Sequence, residues 1–398
     1  MSDTSTDPIV ITSVARTPMG NMLGELSTLS AHELGSIAIK AAVTRCKLDP
    51  AAVDEVFMGN VLTAGQGQAP ARQAALGADL PKSVGCVTLN KVCGSGMKAI
   101  MFARDAIVAG SSNVIVAGGM ESMSKAPYLI LKGRAGYRFG HGELLDHMAL
   151  DGLEDAYEGH HTAMGVYAER TAERYHFTRE QQDAFAIESL RRAQAATEDG
   201  SFKYEIEPVT IQTRKGTQVV DKDEGPLKSK AEKIPSLRPA FKKDGTVTAA
   251  SSASISDGAA AVVIMRASDA SKRGITPLAR IVGHAQHSRI PSEFTLAPIH
   301  AIQRLLDKIG WQTKDVDQWE INEAFAVVAM AAIHDHKLDP AKVNLHGGAC
   351  ALGHPIGCSG ARLVTTLIAS LRQTGGKRGI ASLCIGGGEA TAVAVEMM

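Results

Sequence analysis

The chain has no excess of either charge. Lysine plus arginine and aspartate plus glutamate both total 42, so no global field recruits nucleic acid or an anionic membrane surface, and a charged ligand has to be met by a local patch. Long apolar runs are missing too: no window approaches the roughly 18–20 residues that span a bilayer. Residues 1–8 are polar and acidic, without the basic and apolar regions of a signal peptide or the arginines of a transit peptide. The last residues, Val395-Glu396-Met397-Met398, are not a peroxisomal tripeptide. The expected compartment is therefore the cytoplasm. The six cysteines (Cys46, Cys86, Cys93, Cys350, Cys358 and Cys384) form no CxxC pair. That argues against both a disulfide framework and a zinc site, so free thiols and no metal are expected.

What is present is a 398-residue chain, 44% apolar, long enough for about two to three domains with large cores. Strand patterns at 9–14, 53–60, 84–89 and 114–117 alternate with helical patterns at 31–45, 69–76 and 97–109. The alternation predicts a mostly parallel sheet covered by helices on both faces. From about Lys125 the texture changes. Helical stretches at 162–175 and 179–199 precede a polar, lysine- and proline-rich segment at 203–244, which reads as a long functional insertion. Residues 257–265 read as a glycine turn, a short helix and an apolar strand returning to the first sheet.

The opening pattern then recurs. A helix at 298–309 leads to Val316-Asp317-Gln318-Trp319-Glu320-Ile321-Asn322, which echoes the segment from Val53-Asp54 to Asn60, and a helix at 360–371 and a strand at 379–385 follow. His354 lies 32 residues after Asn322, as Cys93 lies 33 after Asn60. An internal repeat of about 120 residues places Cys93 and His354 on equivalent turns, and docking the halves would join two half-sites into one.

Cys93 sits at a strand-to-helix turn with Gly94 and Gly96 beside it. Partial positive charge at a helix N-terminus favours its thiolate, and the glycines let a substrate approach the backbone. On that stretch alone a nucleophile and a buried structural cysteine carry equal weight. His354, on a glycine-dense turn, is placed to take a proton from a thiol or to donate to an oxyanion. Cys384 adds a second thiol at a strand end, ahead of the Gly386-Gly387-Gly388 backbone, and Asn322 adds an amide at another. The set suits carbon–carbon bond chemistry next to a thioester.

Four blocks carry a family resemblance: Asn90-Lys91-Val92-Cys93-Gly94-Ser95-Gly96, Asn322-Glu323-Ala324-Phe325, Gly353-His354-Pro355-Ile356-Gly357 and Cys384-Ile385-Gly386-Gly387-Gly388. In order and spacing they resemble the signature blocks of the thiolases. The resemblance implies duplicated βαβαβαββ halves stacked as five layers, αβαβα, with a long inserted loop domain. The implied boundaries are 1–124 plus 255–277 for the first half, 125–254 for the insertion and 278–398 for the second half. The implied activity is reversible condensation of two acetyl-CoA to acetoacetyl-CoA and CoA, with coenzyme A thioesters as substrates and no permanently bound cofactor. Cys93 would carry the acetyl group, His354 would take its proton, and Cys384 would deprotonate the second acetyl-CoA. Asn322, through a water, and His354 would form one oxyanion hole, and the N–H groups of Cys93 and Gly386 the other.

The Val-Cys-Gly-Ser-Gly form resembles short-chain biosynthetic members more than broader-chain degradative 3-ketoacyl-CoA thiolases. Ketoacyl synthases pair their cysteine with two histidines, so Cys384 argues against that branch. The insertion departs from the family pattern. Ala163 stands where a pantetheine histidine often precedes Met164-Gly165, with His160 and His161 upstream. Ala253 replaces a common serine, between Ser252 and Ser254, and Pro226 falls near the usual adenine-side arginine. His161, Met164, Ser252, Ser254 and Phe325 are the implied acyl and pantetheine contacts, and Lys228, Lys230 and Lys233 the phosphate contacts. The resemblance also implies a homotetramer, a dimer of dimers with contacts from 125–155. Two other classes remain: a non-catalytic acyl-CoA-binding scaffold, and a redox or metal protein using Cys86, Cys93 or the His160-His161 pair.

Overall fold

Strand β1, Ile9–Arg16, is buried along its whole length, because it lies in the middle of one sheet with a neighbour on each side. The computed structural model describes residues 7–158, 161–214 and 216–398. The other long strands are β2 (Glu55–Gly59), β3 (Gly85–Leu89), β4 (Val114–Ser122), β5 (Ser256–Arg266), β6 (Ala279–Ser288), β7 (Gln318–Ile321), β8 (Arg378–Ile385) and β9 (Glu389–Met397). Their order across the sheet is β7-β8-β9-β6-β1-β5-β4-β2-β3.

That order is a duplication. From the centre outward the first half runs β1-β5-β4-β2-β3 and the second β6-β9-β8-β7. The halves join through two register pairs, Val10↔Arg280 and Ile11↔Ala279. A strand equivalent to β3 is reduced in the second half to one bridge, Trp319↔Val343.

Helices separate the sheet halves into layers. Helices α1 (Ala31–Arg45) and α2 (Pro70–Gly77) cover the outer face of the first half, packing Leu34, Ala38 and Ile39 on Val116, Val263 and Met265. Helix α3 (Ser95–Ala109) lies inside. Two helices of the insertion, α4 (Met164–Tyr175) and α5 (Arg179–Asp199), come next in the chain. Helices α6 (Ala297–Ile309) and α7 (Ala326–His336) cover the outer face of the second half, and α8 (Ser359–Thr374) joins α3 inside. The inner cluster combines Ile100 and Ile107 of α3 and Val364 and Leu367 of α8 with residues of both sheet halves. The result is the αβαβα stack.

Helix boundaries follow local chemistry. Ser30 with Glu33, and Thr178 with Gln181, form capping boxes at the starts of α1 and α5, each worth about 1 kcal/mol. Gly110 and Gly310 close α3 and α6 at φ of 80° and 70°, the left-handed geometry that glycine adopts without strain.

Four expectations need correction. The sheet is mixed: β2/β3, β2/β4 and β7/β8 are parallel, while the pairs through β1, β5, β6 and β9 are antiparallel. Residues 257–265 form no helix. They belong to β5, where pairing with β1 and β4 on both edges overrides the helix propensity of Ala259-Ala260-Ala261. The segment 203–244 contains a hairpin, Val209–Thr213 with Gly216–Val220, and the helix expected from 162 starts at Met164, because Thr162–Ala163 pairs with Glu154–Asp155.

The insertion is tied to the core by a buried charge cluster. Arg16, fully enclosed, donates to Glu205 (2.5 Å) and to both oxygens of Asp223 (2.7 and 2.8 Å), and Thr366 of α8 donates to Glu205 (3.1 Å). Removing one partner of such a group leaves a buried charge, at a cost of about 3–5 kcal/mol.

Helices α3 and α8 meet where neither has a side chain. A methyl on Gly96 would lie 2.9 Å from the Ala361 nitrogen and the Gly357 oxygen, and one on Gly360 would run into the Met97 backbone. Gly360→Ala is therefore expected to destabilise the fold by about 1–3 kcal/mol, read as a lower urea midpoint, and an unchanged midpoint would contradict this packing.

Candidate active site

The Cys93 turn is built by its own chain. Asn90 Oδ1 accepts from the Val92 N–H (2.8 Å), the Lys91 N–H donates to Ser95 Oγ (2.8 Å), and that hydroxyl donates to Val92 O (2.7 Å). This clamp holds Val92 at φ 45°, a conformation a β-branched residue adopts only when its surroundings over-determine it. The strain aims Cys93 out of the turn just before α3. Gly94 packs so closely on Ile385 that no side chain fits, which seats the turn against the end of β8.

Cys384 and Gly386 arrive with that strand end. Cys384 is fully buried. Burial, and then the neighbouring Cys93, push its thiol well above the ordinary range. The N–H groups of Gly386 and of Cys93 itself face the Cys93 sulfur and favour its thiolate, but burial outweighs them and raises the thiol to about 11. The N–H groups at the helix start do favour the thiolate as expected, but enclosing the sulfur costs the anion more than they return.

His354 sits on the turn before α8, with its N–H donating to Ser254 O (3.0 Å). Its Nδ1 lies against Ser359 Oγ, whose own proton goes to Pro355 O (2.9 Å). The Ser359 oxygen can then only accept, so Nδ1 carries the ring proton and Nε2 is the free lone pair. Nε2 is buried with no hydrogen-bond partner. Burial, followed by the nearby Arg362 charge, lowers the imidazole to about 3. At neutral pH the site thus holds a neutral thiol and a neutral base, with no standing ion pair.

Asn322 follows β7, and its N–H donates to Ser382 O (3.0 Å), two residues before Cys384. Both side-chain polar atoms of Asn322 are buried and unpartnered, a costly state unless a ligand or water completes it. The loop after it is fixed by Glu323, which accepts from Ser189 (2.7 Å), Asn344 (2.8 Å) and the Cys350 N–H (3.1 Å). Phe325 joins Cys384, Phe294, Phe241 and Met164 in one apolar cluster. A methyl on Gly386 would lie 3.7 Å from Met164 Cε.

A cavity of about 380 Å³ is lined by Lys228, Lys230, Lys233, Leu190, Ala351 and Ser254. Ser254 is the link, because its carbonyl receives the His354 N–H. Among the described residues neither Lys230 nor Lys233 is ion-paired, whereas Lys228 is paired with Glu224.

Residues 9–268 match the family model for the thiolase N-terminal domain, and residues 275–397 that for the thiolase C-terminal domain. The chain belongs to the thiolase family. It is 50% identical to "Acetyl-CoA acetyltransferase 1" of Arabidopsis thaliana, over 100% of this chain and 97% of that one. It is 49% identical to "Acetyl-CoA acetyltransferase" of Escherichia coli K12, over 98% and 99%. A crystal structure of Acat5 thiolase from Ascaris suum in complex with coenzyme A superposes with a TM-score of 0.92 at 42% identity, covering 98% of this thiolase and 100% of that chain.

The fold therefore sets Cys93 beside Cys384 and Gly386 and packs Met164 and Phe325 with Cys384, while the His354 turn is held by Ser254 and Asn322 is held by the Cys384 strand. Two of the expected contacts have other partners, and a third, Lys228, lines the cavity with its charge already paired. His161 is exposed and paired with Glu154 at 2.6 Å, Ser252 donates to Thr248 O (2.7 Å), and the Lys228 charge is taken by Glu224. His160 lies outside the described residues. Sequence reading missed Ser359, Ser189 and Asn344. Only Ser359 carried a signal, five residues after His354 in the same glycine block. Among the described residues no helix is long and apolar enough to cross a membrane, and no group of three or more His, Cys, Asp or Glu is placed to hold a metal ion.

Because burial holds the Cys93 thiol near 11, its alkylation by iodoacetamide is expected to rise with pH toward a midpoint near 11, above the ordinary value of about 8.5. Full reactivity already at about pH 8 would contradict the burial argument.

Proposed function

We propose that this thiolase is an acetyl-CoA C-acetyltransferase, an acyltransferase that reversibly joins two acetyl-CoA into acetoacetyl-CoA and CoA through an acetyl-Cys93 intermediate. One observation carries the mechanism: the His354 ring, locked by Ser359, keeps a buried, unpartnered Nε2 free to take a proton, while the half-buried Cys93 and the buried Cys384 act on one another.

The Cys93 sulfur attacks the thioester carbonyl of the first acetyl-CoA as its proton passes to His354 Nε2. The carbonyl oxygen becomes an oxyanion facing the Cys93 and Gly386 N–H groups. Collapse breaks the bond to CoA, whose leaving thiolate takes the proton of Cys384. The acyl-enzyme then holds an imidazolium and a Cys384 thiolate, opposite charges that offset the burial which disfavours each alone.

The raised Cys384 thiol makes a strong conjugate base, suited to removing a methyl proton of the second acetyl-CoA. The enolate oxygen is met by the Asn322 amide, through a water, and by protonated His354. Each such donor contributes about 3–4 kcal/mol in an enclosed site. The enolate carbon attacks acetyl-Cys93, and the departing sulfur recovers its proton from His354. Lys230 and Lys233, unpaired at the cavity among the described residues, would receive the phosphates of CoA, with the cavity past Ser254 as the pantetheine path. The apolar wall of Met164, Phe294 and Phe325 beside Cys384 fits a short acyl group.

Labelling with radioactive acetyl-CoA tests the roles. Cys93→Ala should yield no acetyl-enzyme, while Cys384→Ser should acetylate but lose acetoacetyl-CoA formation by about 10²-fold or more. Near-normal condensation by Cys384→Ser would remove it as the carbon base.

A further inference from the structure

Glu121 is the penultimate residue of the first-half strand β4 and is fully buried. Its Oε1 accepts from Asn60 Nδ2 (2.7 Å) and the Leu62 N–H (3.1 Å), and its Oε2 from the N–H groups of Val61 (3.0 Å) and Gly357 (2.9 Å). All four donors are neutral, and among the described residues no ion pair reaches the carboxylate. Three belong to the first half. The fourth, Gly357, lies between His354 and Ser359 on the turn that carries the imidazole. A methyl on Gly357 would stand 2.6 Å from Oε2, so the contact is closed to any other group.

The duplication shows what this position is. Gly59 pairs with Gly119 in the first half, as Ile321 pairs with Ser382 in the second. One residue on, Asn60 matches Asn322, and two residues beyond the pairing partner, Glu121 matches Cys384. The first half therefore has a buried carboxylate where the second has its carbon base. The charge of Glu121 acts on the Cys93 and Cys358 thiols, and Arg16 and Arg362 also act on Cys358. Burial raises Glu121 itself to about 7 in spite of its four donors.

We propose that Glu121 is a positioning residue of the condensation: the carboxylate through which the first half holds the His354 turn, and so Nε2, against the Cys93 thiol. The proposal rests on His354 as the proton acceptor of the reading above. A glutamine keeps the size but turns an NH₂ toward two N–H donors, so the grip on either Gly357 or the 60–62 loop is lost.

The test uses the full-length chain. Glu121→Gln, shown folded by its thermal midpoint, should acetylate Cys93 about 10²-fold more slowly in a single turnover, with KM for acetyl-CoA within about threefold of the parent. Its Cys93 alkylation profile should move to lower pH, because a negative charge is gone. Glu121→Asp should keep the parental alkylation profile while remaining slow, since it retains the charge without the reach, and it carries the test if the glutamine variant does not fold. Acetylation by both variants within about threefold of the parent overturns the proposal. An unmoved alkylation profile in the glutamine variant also overturns it, since that is the mark of a merely structural group. If the parent enzyme itself were not acetylated on Cys93, the proposed function would fall first. Parental labelling with unslowed variants removes the role of Glu121 alone.

Discussion

The close crossing of α3 and α8 at Gly96 and Gly360 is the constraint on which the rest depends. Each helix follows a reactive turn, Cys93 before α3 and His354 before α8. The depth of their contact therefore sets how near a thiol from one half comes to an imidazole from the other. Both helices are buried between sheet halves, where packing is dense and a single added methyl has to displace backbone. Gly119 and Gly357, packed as closely, continue the seam to the strand ends. The centre of the molecule gives up side-chain volume so that the two halves meet at backbone contact.

Burial then determines the chemistry. The same enclosure that aligns the groups penalises every charge in them, so the thiols are raised and the imidazole is lowered. A group that ionises only during the reaction keeps its reactivity for the step that needs it. In the proposed reaction the unpartnered atoms of Asn322 and Nε2 of His354 fit the same logic, being buried without partners at an energetic cost and free to meet a charge that develops in transit. The polar groups that orient them, Ser359 and Glu323, are fully engaged with their neighbours.

Much of this is legible in the chain. Glycine-flanked Cys93 and His354, 33 residues after Asn60 and 32 after Asn322, betray the duplication, and capping residues at Ser30 and Thr178 mark helix starts. What stays hidden depends on through-space pairing. The alanines of β5 carry helix propensity that only their two strand neighbours overrule. Ser252 and Ser254 look alike in sequence, yet one turns its hydroxyl to Thr248 and the other lines the cavity. His161 follows no rule that would announce its pairing with Glu154. Glu121, after two glycines and a methionine, reads as an ordinary strand end until the sheet register shows it at the position equivalent to Cys384 in the other half.

A bifunctional thiol reagent of short span, 1,3-dibromoacetone, tests most directly whether the two halves place their sulfurs in one pocket. After a first attack by Cys93, the account predicts closure onto Cys384, seen by mass spectrometry as a single peptide pair joining the segments that contain them. Modification of Cys93 alone, with Cys384 never joined to it in the folded enzyme, would contradict the shared site.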